Sequence, residues 1–329
     1  MESTLKAEVD RDVIRRAVER HLGGELTGVK ELGGGRCNTV YEVECTAGTY
    51  IMKVAPENAR LENQQQLLKE PHLSRLVLGM SRVRVPRVHG ASGEAGAAGR
   101  AYVLMEKMPG TPLHLAWDTL TVAERERLAG KMGELLADLA EIEAPLFGWI
   151  DHRGLLQGFP TWASFFRERG FLRLNYLGFV AGVPADRLLK LKEIAARAID
   201  DPEIRPAFVH GNLANMSNVM VDGPPGQTSI VGVIDLEHAQ FADADVELAG
   251  FTNWGDFYPL VERAFRRRRP ATASWPRRSA IYALLEEIRQ MIACFHLTPD
   301  KYRASLHITA AGRRVNEILS WEVGSPHEQ

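Results

Sequence analysis

The chain has 329 residues, 45% hydrophobic and 25% charged, so at ~150 residues per domain it can form about two domains or one two-lobed enzyme, and it is neither disordered nor collagen-like. Forty basic against 42 acidic residues leave a net charge of -2, which argues against wholesale nucleic-acid binding. Cys37, Cys45 and Cys294 are too few and too scattered for a disulfide framework or a zinc site, and no apolar run approaches the ~18 residues of a membrane span. The first 20 residues are studded with charge and fit no signal peptide. A soluble, cytoplasmic monomer or weak dimer is expected, with no membrane or nucleic-acid partner.

A first helix is predicted over 10–22, where Ile14, Ala17, Val18, His21 and Leu22 share a face and Asp10 and Asp12 suit the positive end. Three short strands follow, over 29–32, 39–44 and 49–54, with Gly33-Gly34-Gly35 between the first two. Residues 63–78 read as one helix, 85–88 as extended chain, and 101–106 as a strand closed by Pro109-Gly110. Beyond that point long helices dominate. Thr121-Val122-Ala123-Glu124 is a capping box, leading into an apolar stripe of Leu128, Met132, Leu135, Leu136 and Leu139. Further helices are predicted over 184–200 and 279–295. Between them lie short strands at 207–210, 219–222 and 230–235, the last two joined as a hairpin by Gly223-Pro224-Pro225-Gly226. The fold class is therefore α+β: a small β-rich lobe over 1–106 and a larger, mainly helical lobe over 107–329.

Two groups of residues suggest chemistry. His210-Gly211-Asn212, Asn218 and, 17 residues on, Asp235 sit on a loop and a strand end that converge across the hairpin. An amide carbonyl and a carboxylate suit a hard divalent ion such as Mg²⁺; the alternative is a capped turn beside a strand-ending aspartate. Lys53 lies in an otherwise apolar strand, where a charge is costly unless paired, and Glu70 on the next helix is the candidate partner. A lysine held by a glutamate beneath a glycine-bearing turn orients nucleotide phosphates.

The order of these parts resembles the aminoglycoside phosphotransferases, which have a bilobal protein-kinase-like fold. The resemblance is carried by Leu32-Gly33-Gly34-Gly35 with Asn38-Thr39-Val40-Tyr41, and by Val85-Pro86-Arg87-Val88 and the hinge Leu104 to Gly110. His210-Gly211-Asn212 through Asp222, Val233-Ile234-Asp235-Leu236-Glu237, Phe241-Ala242-Asp243 and Val246-Glu247-Leu248-Ala249 complete it. Asn253-Trp254 and the arginine-rich tail from Glu262 look closest to hygromycin B phosphotransferases. The resemblance implies an ATP- and Mg²⁺-dependent transfer, with GTP an alternative donor, onto a hydroxyl of a small molecule such as an antibiotic. Gly34 and Gly35 would cover the phosphates, and Lys53 and Glu70 would orient them. Backbone from Glu106 to Met108 would hold adenine, and Asn218 and Asp235 would bind Mg²⁺. His210 and Asp243 would brace loops.

Two departures stand out. The family has an aspartate where this chain has Asn212, and an amide cannot accept the substrate proton. Six residues rather than five separate this position from Asn218, so the loop must bulge or the correspondence is shifted. A catalytically silent nucleotide-binding protein and a metabolic small-molecule kinase are therefore the alternative readings. For a cationic acceptor, Asp256, Glu262, Glu286 and Glu287 are the expected carboxylates. Arg266 to Arg269, with Arg277 and Arg278, read as a solvated helix face; the alternative, that they face the cleft, would suit an anionic or neutral hydroxylated substrate such as a nucleoside antibiotic. Trp149, Phe159, Trp162, Phe165 and Phe166 read as core or as a stacking platform.

Overall fold

The computed structural model describes residues 9–33, 38–55, 61–93, 100–297 and 300–321. Helix α1 (Arg11–Leu22) starts where Asp10 accepts from the Asp12 amide at 2.9 Å and ends at Gly23 in the left-handed conformation. Strands β1 (Leu26–Leu32), β2 (Thr39–Cys45) and β3 (Gly48–Val54) are followed by α2 (Leu61–Leu67), α3 (Glu70–Met80), β4 (Val88–Ser92) and β5 (Tyr102–Glu106). The five strands form one antiparallel sheet in the order β1-β2-β3-β5-β4. The single helix expected over 63–78 is broken between Leu67 and Glu70. Pro71 lacks an amide hydrogen and its ring would strike the carbonyl four residues back, at Leu67, so the helix restarts with proline in its first turn.

The rest is mostly helical. It runs β6 (Thr111–Pro112), α4 (Leu113–Ala116), α5 (Val122–Ala140), β7 (Phe147–Ile150), β8 (Leu156–Phe159), α6 (Trp162–Val180), α7 (Ala185–Ile199), β9 (Ala207–Val209), β10 (Val219–Asp222), β11 (Ser229–Val233), β12 (Gln240–Ala242), α8 (Asp245–Gly250), α9 (Tyr258–Arg266), α10 (Trp275–Ile292) and α11 (Lys301–Ser320). The α5 capping box forms at both ends, Thr121 Oγ1 accepting from the Glu124 amide at 3.2 Å and Glu124 Oε2 accepting from the Thr121 amide at 3.0 Å. Val219 pairs with Val233 and Asp222 with Ser229 in the expected hairpin, which takes β6 as its third strand. Helix α10 begins at Trp275, a turn earlier than expected, because Pro276 fits its first turn.

Buried Leu128, Met132 and Leu136 of α5 join Ile281, Leu284 and Ile288 of α10 in one large core. Trp149, Phe159, Trp162, Phe165 and Phe166 belong to that core or pack against it, with ring centroids 5.3 to 6.0 Å apart, rather than forming an open platform. Among the described residues no helix is long and apolar enough to cross a membrane.

Candidate active site

Strand alternation decides where Lys53 points. Met52, Val54, Tyr102 and Leu104 pack with Ile14 and Val18 of α1, while Val103 and Met105 pack with Leu67 of α2 on the opposite face. Lys53, between Met52 and Val54, takes that opposite face. There it meets Glu70, the first residue of α3, a position where the helix dipole favours a carboxylate. Lys53 Nζ donates to Glu70 Oε1 at 2.5 Å and to Asp235 Oδ1 at 2.6 Å. Lys53 and Glu70 are buried, and Asp235 is half-buried.

Asp235 has φ 74° and ψ 60°, the one left-handed non-glycine residue among those described. This conformation costs about 1–2 kcal/mol and persists only where the surroundings over-determine it. Here the Ile234 amide donates to the Asn218 carbonyl at 2.9 Å, His210 Nε2 lies 2.9 Å from the Ile234 carbonyl, and Lys53 grips the carboxylate. Glu237, two residues on, accepts from Asn38 Nδ2 at 3.3 Å. Three carboxylates thus surround one ammonium. Burial raises the Asp235 carboxyl, but Lys53 outweighs it and holds the group below its ordinary range. Burial wins at Glu70, which is pushed up despite Lys53. Burial and then the Asp235 charge push Glu237 up to about 8.

The loop after β9 is held from below by Glu247 of α8. Its carboxylate accepts from the Gly211 amide at 2.5 Å and from the Leu213 amide at 2.9 Å. Gly211 has φ 80°, and a Cβ there would lie 2.7 Å from the His238 carbonyl oxygen, so only glycine fits. The loop closes with a 3₁₀ turn over Met216–Asn218, with Asn215 Oδ1 accepting from the Ser217 amide at 3.3 Å. Asn218 Nδ2 then reaches back to the Asn212 carbonyl at 3.1 Å. These bonds, with that from the Ile234 amide to the Asn218 carbonyl, bring Asn212 and Asn218 beside the strand end that carries Asp235. Asn212 Oδ1 accepts from Arg289 Nη1 at 2.9 Å, and Arg289 is itself paired with Glu286.

At the hinge, the Glu106 amide donates to the Arg87 carbonyl at 2.8 Å, and its carboxylate accepts from Arg84 at 2.5 Å. Met108 is buried against Gly232, where a Cβ would lie 2.2 Å from the Met108 methyl. Gly34 and Gly35 lie outside the described residues.

The four carboxylates expected for a cationic acceptor do not converge. Glu262 accepts from Trp275 Nε1 at 3.1 Å, between α9 and α10. Glu287 is buried towards α11, 2.7 Å from His307 Nδ1. Asp256 is exposed, and Glu286 reaches Asn212 only through Arg289. Arg267, Arg268 and Arg277 are exposed, Arg267 and Arg268 pairing with Glu134 and Asp138 of α5 and with Glu141 just beyond it, whereas Arg266 is drawn onto Asp245. Arg278 is fully buried among Asp201, Asp243 and Asp245, at 2.7, 3.0 and 2.8 Å. Tyr282 donates to Asp243 at 2.7 Å, so Asp243 is a joint between α10 and the segment after β12.

Sequence reasoning did not single out Glu247, Arg289 or Asn38. Glu247 stood in a quoted segment, but its two amide partners are 36 and 34 residues away. Arg289 stood in a predicted helix with nothing to mark it.

Residues 28–284 match the phosphotransferase enzyme family. No curated protein matches in a sequence comparison. Solved structures show the same fold. A protein assigned as a fructosamine-3-kinase from Thermobifida fusca YX-ER1 is 20% identical, with 93% of this chain and 98% of that one covered and a TM-score of 0.64. Aminoglycoside phosphotransferase APH(4)-Ia, in ternary complex with AMP-PNP and hygromycin B, is 17% identical over 95% and 99% of the two chains, with a TM-score of 0.67. A GDP and kanamycin complex of APH(2")-IIia is 16% identical over 91% and 97%, with a TM-score of 0.64. With a kinase-like fold and a family match over most of its length, this chain belongs to the phosphotransferase enzyme family.

Proposed function

We propose that the chain is an ATP- and Mg²⁺-dependent kinase that moves the γ-phosphoryl group to a hydroxyl of a small molecule. Residues 1–106 serve the nucleotide, and residues 107–329 supply the catalytic loop, the metal ligands and the acceptor site. The observation that carries this reading is Lys53, held between Glu70 and Asp235 at 2.5 and 2.6 Å. A lysine braced by a helix-borne glutamate is placed to grip phosphate oxygens, and phosphoryl transfer depends mainly on such positioning and charge neutralisation.

The residues fit a divalent ion. Asn218 and Asp235 offer oxygen donors of the hard type Mg²⁺ requires. Lys53 is the one ammonium that Glu70 and Asp235 share, and burial, then the Asp235 charge, pushes Glu237 up to about 8. Asn218 and Asp235 would hold the ion, which would neutralise charge on the transferring phosphoryl group. Backbone groups from Glu106 to Met108 would take the base, in ATP first and GTP second.

A hydroxylated antibiotic and a fructosamine are the acceptor classes suggested by the structural neighbours. The test is incubation with ATP, Mg²⁺ and a panel of antibiotics, glycated amines and sugar acids, read as a mass gain of one phosphoryl group. Asn212 favours a second reading, a nucleotide-binding protein without transfer, because its amide oxygen is engaged by Arg289 and cannot take a proton. Mg²⁺-dependent nucleotide binding with no transfer to any acceptor would support that reading instead.

A further inference from the structure

Three guanidinium groups stand on two neighbouring helices beside the catalytic loop. Helices α6 and α10 lie side by side there: Trp162 Nε1 donates to Tyr282 Oη at 2.7 Å, and the Phe166 and Tyr282 rings meet at 6.4 Å. Seven residues further along each helix, two turns on and on the same face, stand Arg173 and Arg289. Arg289 touches the catalytic loop at Asn212. Arg169, one turn before Arg173, lies with its guanidinium 4.3 Å from the centre of the Trp149 ring.

The charges of these groups reach one another and the site. Arg173 is pushed down by burial and next by the Arg289 charge. Burial, then Arg169, brings the Lys69 amine at the start of α3 down to about 8. Arg289 and Arg173 both oppose a proton on His238, three residues beyond Asp235.

Of the three, only Arg289 is neutralised among the described residues. The Glu286 carboxylate is taken up by Arg289, with contacts at 2.7 Å through each oxygen. Asp151 is taken up by Arg153 and by the Leu155 amide. Among the described residues Arg173 has no ion pair or hydrogen bond, and Arg169 has the Trp149 ring. A guanidinium presents a fork of donors that matches a carboxylate or phosphate. A polycation would meet the wrong sign.

We propose that the acceptor is an anion, a hydroxylated compound whose carboxylate or phosphate is bound by Arg173, flanked by Arg169 and Arg289, while its hydroxyl lies at Asn212. The role given to that hydroxyl rests on the kinase reading above.

The test is calorimetry on the full chain saturated with AMP-PNP and Mg²⁺. The titrants are matched pairs, gluconate with glucose and 3-phosphoglycerate with glycerol, together with kanamycin. The acid of each pair is expected to bind at least about tenfold tighter than its neutral mate, a difference of ~1.4 kcal/mol. Arg173→Gln should bring that ratio close to one, and Arg173→Lys, which keeps the charge, should retain part of it. The proposal is overturned if the members of a pair bind alike or not at all, if kanamycin binds tighter than the acids, or if the preference survives Arg173→Gln. AMP-PNP binding, measured first without acceptor, tests the kinase reading by itself. Its absence alongside an intact, Arg173-dependent anion preference would remove the kinase reading and leave the anion site standing.

Discussion

Replacing Lys53 by methionine keeps the length of the side chain and removes its charge. In the native protein the ammonium lies 2.5 Å from Glu70 and 2.6 Å from Asp235, and the Lys53 and Glu70 side chains are only 10% and 4% exposed. Two carboxylates would then face each other with no cation between them. Breaking a buried pair by deleting one partner costs roughly 3–5 kcal/mol, because the remaining charge stays out of water. Asp235 is more open, so the lower end, about 3 kcal/mol, is expected by urea unfolding. Loss of a charge-assisted contact to phosphate, about 1.5–3 kcal/mol, should separately weaken AMP-PNP binding ~10- to 100-fold by calorimetry. Lys53→Met with Glu70→Leu removes the stranded charge and should recover most of the stability. It should recover none of the nucleotide affinity. If Lys53→Met leaves both stability and AMP-PNP affinity unchanged, or if the double variant restores binding, the assignment of Lys53 to the nucleotide is wrong.

Asn212→Asp should raise single-turnover transfer to any acceptor the panel identifies, since a general base is worth ~10²–10⁴-fold. The gain should fall near the bottom of that range because Arg289, 2.9 Å from Oδ1, would make the new carboxylate a weaker base; equal rates would remove this position from the mechanism. Gly211→Ala forces a methyl group against the His238 carbonyl at φ 80° and should lower stability by about 1–2 kcal/mol at least, read from chemical denaturation. Glu124 is held down to about 2, first by the Thr121 amide and then by the Thr121 hydroxyl, with Thr228 and the Gly226 amide adding to this against burial. A carboxyl with a depressed folded-state pKa stabilises above its ordinary value of 4.5 and loses that contribution as pH falls towards about 2. Acid titrations of Glu124→Gln should therefore start from a lower plateau and show a shallower decline over that window; a decline identical to the parent's would show that Glu124 does not link pH to folding.

Local patterns were legible where one residue constrains its near neighbours. The capping box at Thr121 and Glu124, the hairpin over 219–233 and the alternation of β3 each depend on contacts a few residues apart, and the sequence carries them in plain order. The pairing of Lys53 with Glu70 could be read for the same reason: a charge in an apolar strand needs a partner, and the next helix begins with one. Pro71 is the local signal that sequence reading passed over, and it divides the predicted helix in two.

The order of the elements, the buried ammonium and the neutral residue at Asn212 are therefore written in the chain's local order of residues. Tertiary packing alone sets which charges meet beside the catalytic loop. Glu286 and Glu287 are adjacent in sequence, but the ~100° step of a helix turns one to Arg289 and the catalytic loop and the other to α11. Arg267 and Arg268 find their carboxylates on α5 and the residue just after it, more than 120 residues away, and Arg266 finds Asp245. Arg173, unremarkable in sequence, has no ion pair or hydrogen bond among the described residues and feels the charge of Arg289. A charge's partner is set by which helix faces meet, and that is a property of packing between distant segments rather than of any one of them.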